Sequence, residues 1–209
     1  MKISKEQAER NRQAILDAAT RLFRERGFDA VCIAEVMTAA GFTHGGFYNH
    51  FPSKEALAAE TFRVGYEQQR EASRALDGSI ADVRRQFHQY LSTEVRDAVD
   101  HACPSAAMIA DAARQGGPIQ DEFTRGIAAY VNDYADALRL ADPDGDPVEQ
   151  RRRAARLLAQ GVGAFVLAQS VAAADASLSD ELLDAGRAGI DELLGVEARP
   201  PRARRSRAR

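Results

Sequence analysis

Cysteine is scarce in this chain, and its two cysteines stand far apart. Cys32 and Cys103 are separated by 71 positions in a sequence of 209 residues. Such a pair is not the disulfide framework of a secreted domain, and no signal-like apolar segment is found near the N-terminus. The four histidines and two cysteines show neither CxxC nor HxxxH spacing, so we expect no metal site and no cofactor. A reducing, cytoplasmic environment is predicted.

Recognisable catalytic motifs are also missing. The sequence contains no serine elbow, no zinc-enzyme signature and no phosphate-binding loop. Asp111 and Asp121 are candidate paired carboxylates, but their spacing fixes no geometry. The rival hypothesis is that the protein is an enzyme. The missing motifs disfavour it, and we predict no catalytic residues.

Long uninterrupted apolar runs are absent as well. The most apolar window, residues 157–174, is interrupted by Gln160, Gln169 and Ser170 and consists largely of alanine and glycine. This composition favours a buried packing helix over a membrane span, so a membrane partner is not expected.

Charge is distributed unevenly along the chain. Residues 1–54 carry eight Lys and Arg against six acidic residues, whereas residues 55–198 carry 14 against 25. Residues 199–209 carry six arginines and no acidic residue. A basic head, an acidic body and a basic tail indicate a polyanion partner for the head or the tail.

Helical periodicity runs through the whole sequence, and no stretch alternates with the two-residue period of a strand. The pattern predicts an all-α protein that begins with four helices, over Lys5–Arg26, Ile33–Ala40, Thr43–Tyr48 and Lys54 to about Ala75. Ser53 is the expected N-cap of the fourth helix. Further helical stretches are predicted at about 79–99, 104–115, 118–140, 147–175 and 179–194.

The segment from Ile33 to Leu57 has the layout of a helix-turn-helix unit, in which the second short helix enters the major groove of DNA. An ordinary corner of two helices with Gly41 at the bend is the alternative. The composition of residues 43–50 favours DNA binding, because their polar side chains can reach phosphates and base edges. Gly45 and Gly46 also allow a close backbone approach.

The run AAG-x-T-x-GGFY-x-HF-x-SKEAL, within Ala30–Leu57, resembles the tetracycline-repressor (TetR) family of bacterial transcriptional regulators. The first helix, ILDAATRLFRERGFDA, is similar too, so the resemblance covers residues 9–69. It implies a TetR-type helix-turn-helix domain over 9–69 (the motif itself at about 32–51) and a ligand-binding and dimerisation domain over 75–196. The composition of residues 197–209 predicts a basic, disordered tail. The family usually has Thr or Ser to cap the second helix, but this chain has Val31 and Cys32 at these positions. The N-cap of the second helix is therefore weakened or comes from Asp29.

The resemblance also assigns roles to single residues. Thr43 matches a position that caps the recognition helix and touches phosphate, and Lys54 lies at the N-terminus of the fourth helix, where an anion is favoured. The full set of DNA-binding candidates is Thr43, His44, Gly45, Gly46, Tyr48, Asn49, His50 and Lys54. Two further residues, Arg10 and Arg12, are expected to reach the DNA backbone. Phe47 and Phe51 are expected in the core.

The C-terminal part carries no comparably specific motif. Its apolar and aromatic residues are candidates for a small-molecule pocket, with plain core as the alternative for each: Phe62, Tyr66, Phe87, Tyr90, Cys103, Met108, Phe123, Tyr130 and Phe165. By resemblance, helices over Val148–Asp175 and Ser179–Leu194 form a homodimer interface, and core within one chain is the alternative. Small residues on these helices allow close approach: Ala155, Gly161, Gly163, Ala164, Ala168 and Ala172.

The predicted function is a ligand-responsive repressor that binds double-stranded palindromic operator DNA as a homodimer and is released by a small molecule or a reactive electrophile. Activation of transcription is the minor variant. Electrophile sensing would use Cys103, the expected N-cap of a helix beginning at Pro104. A ligand-blind, architectural DNA-binding protein is the other alternative, suggested by the tail RPPRARRSRAR.

Overall fold

The computed structural model describes residues 4–74, 78–98 and 104–196, and every regular element in these three ranges is a helix. The predicted all-α fold is confirmed. Besides a short 3₁₀ helix at His44–Asn49, called the recognition helix below, the α-helices are α1 (Lys5–Arg26), α2 (Ile33–Ala39), α3 (Lys54–Arg74), α4 (Ile80–Tyr90), α5 (Thr93–Asp97), α6 (Pro104–Ala107), α7 (Ile109–Gln115), α8 (Gly117–Ala141), α9 (Pro147–Val171) and α10 (Ala176–Leu194).

Local signals define α1 and the start of α3 as the sequence predicts. The Ser4 hydroxyl accepts a hydrogen bond from the Gln7 amide at 3.1 Å, and α1 ends at Gly27, whose φ of +78° favours glycine. The Ser53 hydroxyl likewise accepts from the Ala56 amide at 3.1 Å and caps α3. Because α3 then continues to Arg74, one helix links the N-terminal helices to the larger body.

The recognition helix differs from the short α-helix expected over Thr43–Tyr48. It is a 3₁₀ helix over His44–Asn49, in which the Gly46 amide donates to the Thr43 carbonyl at 3.1 Å. Two adjacent glycines lower α-helix propensity, and short irregular helices commonly take the 3₁₀ form. The short helix itself is present where it was predicted.

Two predicted helices are broken in the structure. The stretch at 79–99 divides into α4 and α5, because Leu91 is fully buried and its carbonyl accepts a hydrogen bond from Arg187 of α10. Ser92 then caps α5. The stretch at 104–115 divides into α6 and α7 at Met108, whose side chain is buried. Both interruptions depend on tertiary contacts.

The beginning of α10 was also predicted wrongly. Helix α10 begins at Ala176 and not at Ser179. Asp175 is its N-cap, since the Asp175 carboxylate accepts a hydrogen bond from the Leu178 amide at 3.0 Å. Ser179 is fully buried one turn later, and its hydroxyl donates to the Ala168 carbonyl of α9. The hydroxyl therefore joins two helices.

The body is built by the long helices α8, α9 and α10, with α3 packed on α8 and α4 packed on α10. Among the described residues, α9 is the one helix long and apolar enough to cross a membrane, but it packs between α8 and α10. Three of the small residues assigned to a dimer interface instead serve packing within the chain. Gly161 faces Phe87, Ala164 faces Gly186, and Ala168 is fully buried.

Candidate functional site

The recognition helix presents a polar face to solvent and an aromatic residue to the core. Tyr48 is 64% exposed, whereas the Phe47 ring next to it is fully buried. Thr43, His44, Gly45 and Asn49 are exposed too, while Gly46 and His50 are half-buried. The structure thus places the predicted DNA-binding residues of this segment on one short, accessible element. The expected burial of Phe47 and Phe51 is confirmed.

Thr43 stands at the N-cap position of the recognition helix, but its expected capping role is wrong. Its hydroxyl forms no cap hydrogen bond with the described residues, and its backbone carbonyl accepts from Gly46 instead. In a 3₁₀ helix, hydrogen bonds join residues three positions apart, so the Gly46 amide has a backbone acceptor already. The hydroxyl of Thr43 is left exposed for an outside partner.

The cap of α2 comes from a residue that the sequence analysis did not name. The Glu35 carboxylate accepts from the Cys32 amide at 2.8 Å and pairs with Arg26 at 2.9 Å. These contacts, the Cys32 amide first, lower the pKa of Glu35 from 4.5 to about 2. Asp29, the expected alternative, accepts from the side chain of Gln115 on α7 at 2.7 Å. The signal that could have revealed Glu35 is its position three residues after the N-cap, as in a capping box.

Lys54 begins α3, as predicted, and its ammonium group lies over an aromatic ring. Lys54 Nζ is 4.0 Å from the centre of the Phe28 ring, which is buried at the start of the loop joining α1 to α2. A cation over an aromatic face is attracted by the ring quadrupole. The ring therefore supports this cation at the N-terminus of α3.

Arg12 is committed to a contact within the protein, contrary to the expectation that it reaches DNA. Both of its terminal nitrogens donate to the Glu60 carboxylate of α3, and its guanidinium lies 4.5 Å above the Phe51 ring. This pairing lowers the pKa of Glu60. Arg10 is more accessible and donates to Gln7 one turn earlier, at 2.8 Å. Arg12 thus fastens α1 to α3.

Most of the aromatic candidates for a ligand pocket form one chain of ring contacts, called the aromatic cluster below. In order of contact it consists of Phe123, Phe62, Tyr66, Tyr130, Tyr134 and Phe87, with ring centres 5.1–6.3 Å apart. Tyr134 was not predicted. The cluster is contributed by α3, α4 and α8, and the hydroxyl of Tyr130 donates to the side chain of Gln69.

The remaining pocket candidates are placed apart from this chain of rings. Tyr90 stacks on Phe165, with ring centres 4.5 Å apart, and joins α4 to α9. Met108 is buried between α6 and α7. Cys103 lies outside the described residues, so its roles as helix cap, sensor or pocket residue stay predictions. The basic tail, residues 197–209, lies outside them as well.

Comparison with known proteins assigns the N-terminal helices to a known type. Residues 15–61 match the family described as bacterial regulatory proteins, tetR family. The HTH-type transcriptional repressor DhaR of Mycobacterium sp. (strain GP1) is 37% identical over 76 residues, 35% of this chain and 38% of DhaR. The HTH-type transcriptional repressor KstR2 of Rhodococcus jostii (strain RHA1) is 31% identical over 100 residues, 48% of each chain. The alignments thus span about half or less of these relatives.

Solved structures extend the likeness to nearly the whole chain. The crystal structure of E. coli NemR in its reduced form matches with a TM-score of 0.73 at 20% identity, covering 92% of this chain and 99% of NemR. A TetR transcriptional regulator from Legionella pneumophila matches with a TM-score of 0.72 at 18% identity, covering 94% and 100%. At these identities the likeness shows a shared fold.

Proposed function

The chain belongs to the TetR family of helix-turn-helix transcriptional regulators, and on that premise we propose that it is a homodimeric repressor released from a palindromic operator by a small molecule. The observation that carries the DNA-binding part is the exposed polar face of the recognition helix, whose Phe47 is buried while Tyr48 is 64% exposed. His44 and Asn49 are the proposed base-reading side chains. Thr43, Tyr48, His50 and Lys54 are the proposed phosphate contacts, and Gly45 and Gly46 let the backbone approach the groove.

An exposed stripe of small and apolar residues supports the dimer. Ala155, Ala159, Gly163 and Leu167 recur every four residues along α9; Gly163 is half-buried, the other three are exposed, and Leu167 is 56% exposed. On α10, Leu178, Ala185 and Ala188 are exposed as well. Two copies of such a helix pair can bury these stripes against each other in a four-helix bundle. A two-fold dimer would place two recognition helices about 34 Å apart, one turn of DNA.

The aromatic cluster is the proposed effector site. It is built on α3, which carries Phe62 and Tyr66 and begins at Lys54. Tyr66 lies 12 residues from Lys54 along one helix, a distance of about 18 Å at 1.5 Å per residue. A planar, apolar ligand that displaces these rings would shift α3 and with it the N-terminal end that we assign to phosphate binding. We propose an aromatic or other planar apolar compound as the effector class.

The test of DNA binding is selection of duplexes from a random-sequence pool by the purified protein. We expect an enriched palindrome bound by one dimer, and repression of a reporter that carries this palindrome upstream. Failure to enrich any duplex would contradict the proposed function.

The test of the effector is release of the selected duplex by a panel of planar aromatic compounds, followed by fluorescence anisotropy. A compound that releases DNA should also raise the melting temperature of the free protein, because it binds the folded state. Tight DNA binding that no compound changes would favour the architectural alternative.

A further inference from the structure

Two side chains of α7 hold the loop that joins α1 to α2. The Asp111 carboxylate accepts a hydrogen bond from the Phe28 amide at 3.2 Å, and the side chain of Gln115 donates to Asp29 at 2.7 Å. These partners are 83 and 86 positions apart in the sequence. The first of these bonds is buried, since Asp111 is 4% exposed. The DNA-binding helices are therefore tied to the C-terminal body through this loop.

The geometry of the loop suits this attachment. Gly27 adopts a φ of +78°, which turns the chain so that the next amide points at Asp111. A Cβ atom at Gly27 would already stand 3.5 Å from Asp111 Oδ2, so the backbone approaches the carboxylate closely. Arg114 pairs with the other carboxylate oxygen at 3.0 Å. A buried carboxylate with two partners is a strong, directional acceptor.

Phe28 links this attachment to the proposed DNA contact. Its amide is held by Asp111, while its ring lies beneath the ammonium of Lys54, 4.0 Å away. The ring is buried and also packs against Phe23, so it has little freedom to move independently of its backbone. The position of the Lys54 ammonium therefore depends on the hydrogen bond that α7 provides.

We infer that Asp111 is a positioning residue for DNA binding, which acts through Phe28 to place the Lys54 ammonium for a phosphate contact. The inference rests on the proposed function and specifies how the body can regulate it. Any shift of α7 that loosens the Asp111–Phe28 bond moves the aromatic support of Lys54. DNA affinity then falls without any change in the residues that read the bases.

The experiment is a double-mutant cycle between Asp111 and Lys54, read on the selected palindromic duplex by fluorescence anisotropy at several salt concentrations. We expect Asp111→Ala to weaken binding about threefold to fivefold, the size of one modest ion-pair contact, and to make the salt dependence shallower. In the Lys54→Ala background, Asp111→Ala should change affinity by less than about twofold, because the contact that it positions is already gone.

Three companion variants separate positioning from general stability. Asp111→Asn keeps an acceptor for the Phe28 amide and should restore affinity and salt slope. Arg114→Ala removes the ion pair but keeps the amide bond, so it should bind like the parent. If Asp111→Ala does not fold, Phe28→Leu keeps the apolar volume, removes the ring beneath Lys54 and should reproduce the shallower slope.

The inference would be overturned if Asp111→Ala lowered DNA affinity equally in the parent protein and in the Lys54→Ala variant. An unchanged salt dependence of binding in the folded variants would overturn it as well. Either result leaves the proposed function standing, because the parent still binds the duplex. A parent protein that binds no duplex would refute the proposed function before any variant is made.

Discussion

Glu35 caps the N-terminus of α2, where a weakened cap or a cap from Asp29 was expected. Its carboxylate accepts from the Cys32 amide and pairs with Arg26, and both contacts favour the charged form. Val31 is meanwhile buried in the core, so the two residues that depart from the family pattern are accommodated by different means. At the residue scale, one carboxylate both satisfies a free amide and connects α1 to α2.

Glu35→Gln tests this cap through its pH dependence. The pKa of Glu35 is about 2 in the folded protein and 4.5 without these contacts, so the unfolded chain takes up the proton first as pH falls. The stabilisation by Glu35 is complete above pH 4.5 and is lost as pH falls towards 2. We expect the variant to be less stable than the parent at pH 7 in urea unfolding, and the gap to narrow below pH 4.5.

The matched control is Glu25→Gln, which removes an exposed carboxylate whose partner Arg21 is 3.9 Å away. It should follow the pH dependence of the parent. A gap between Glu35→Gln and the parent that is constant from pH 7 to pH 3 would show that the Glu35 charge does not cap α2.

Tyr48 and Lys54 should affect DNA binding in different ways. Lys54→Ala removes a cation and should make the dependence of log K on log salt shallower by about one unit. Tyr48→Phe removes only a neutral hydroxyl from a ring that is 64% exposed, so affinity should fall while the slope stays unchanged. Anisotropy titrations across a salt series measure both quantities. Parent-like affinity and slope in both variants would refute the assigned docking face.

Helix α9 has two glycines that look alike in sequence and differ in their surroundings. A Cβ atom at Gly161 would overlap the buried Phe87 ring of α4, whereas no heavy atom of the described residues lies within 4 Å of a Cβ atom at Gly163. Gly161 therefore allows α4 and α9 to approach closely. Gly163 lies on the stripe of small and apolar residues, where there is space for a Cβ atom. At the element scale, the same residue type serves packing at one position and surface shape at the other.

Gly161→Ala and Gly163→Ala form a matched pair for stability. Overpacking against Phe87 should cost about 1–3 kcal/mol, which outweighs the gain of up to about 1 kcal/mol in helix propensity. Within one protomer, Gly163→Ala has only the propensity gain, so the protomer should be as stable as the parent or up to about 1 kcal/mol more stable. Urea unfolding followed by circular dichroism compares them. Equal stabilisation by both changes would contradict the close packing at Gly161.

At the scale of the whole molecule, the inner faces of α9 and α10 build the body, while an apolar stripe stays exposed on each of the two helices. Phe165 and Ile190 are fully buried, yet Leu167 and Leu178 are 56% and 41% exposed. An exposed apolar stripe along two neighbouring long helices is typical of a surface that pairs with another protein surface. The acidic body would also be repelled by DNA, which favours docking through the N-terminal helices alone.

Leu167→Glu should weaken the proposed dimer, because it replaces the most exposed large apolar residue of the α9 stripe with a charge. We expect the dissociation constant to rise about 30-fold, as for the loss of a contact worth about 2 kcal/mol. Leu140→Glu is the control, since Leu140 is 65% exposed at the end of α8 and lies off the stripe. Sedimentation velocity at several concentrations measures both. Identical dissociation constants for the two variants would place the interface elsewhere.

Contiguous signals made much of the fold predictable from the sequence, and they placed the residues proposed for DNA binding in one segment. The bounds of α1 follow from Ser4 and Gly27, and the start of α3 follows from Ser53, because caps and glycine turns act within a few residues. The residues of the recognition helix are likewise consecutive, so their motif is visible without any knowledge of tertiary structure. These features depend on local backbone chemistry, which the sequence specifies directly.

Only the tertiary structure revealed the partners that are distant in sequence. Arg12 is committed to Glu60, Leu91 is bonded by Arg187 from 96 positions away, and Asp111 holds the Phe28 amide. Each contact exists because packing of the helices brings two remote segments together, and a residue's neighbours along the chain do not indicate which remote surface it will face. The sequence thus indicated which segment we propose for DNA binding, whereas helix packing decided which of its side chains remain exposed and which are held inside.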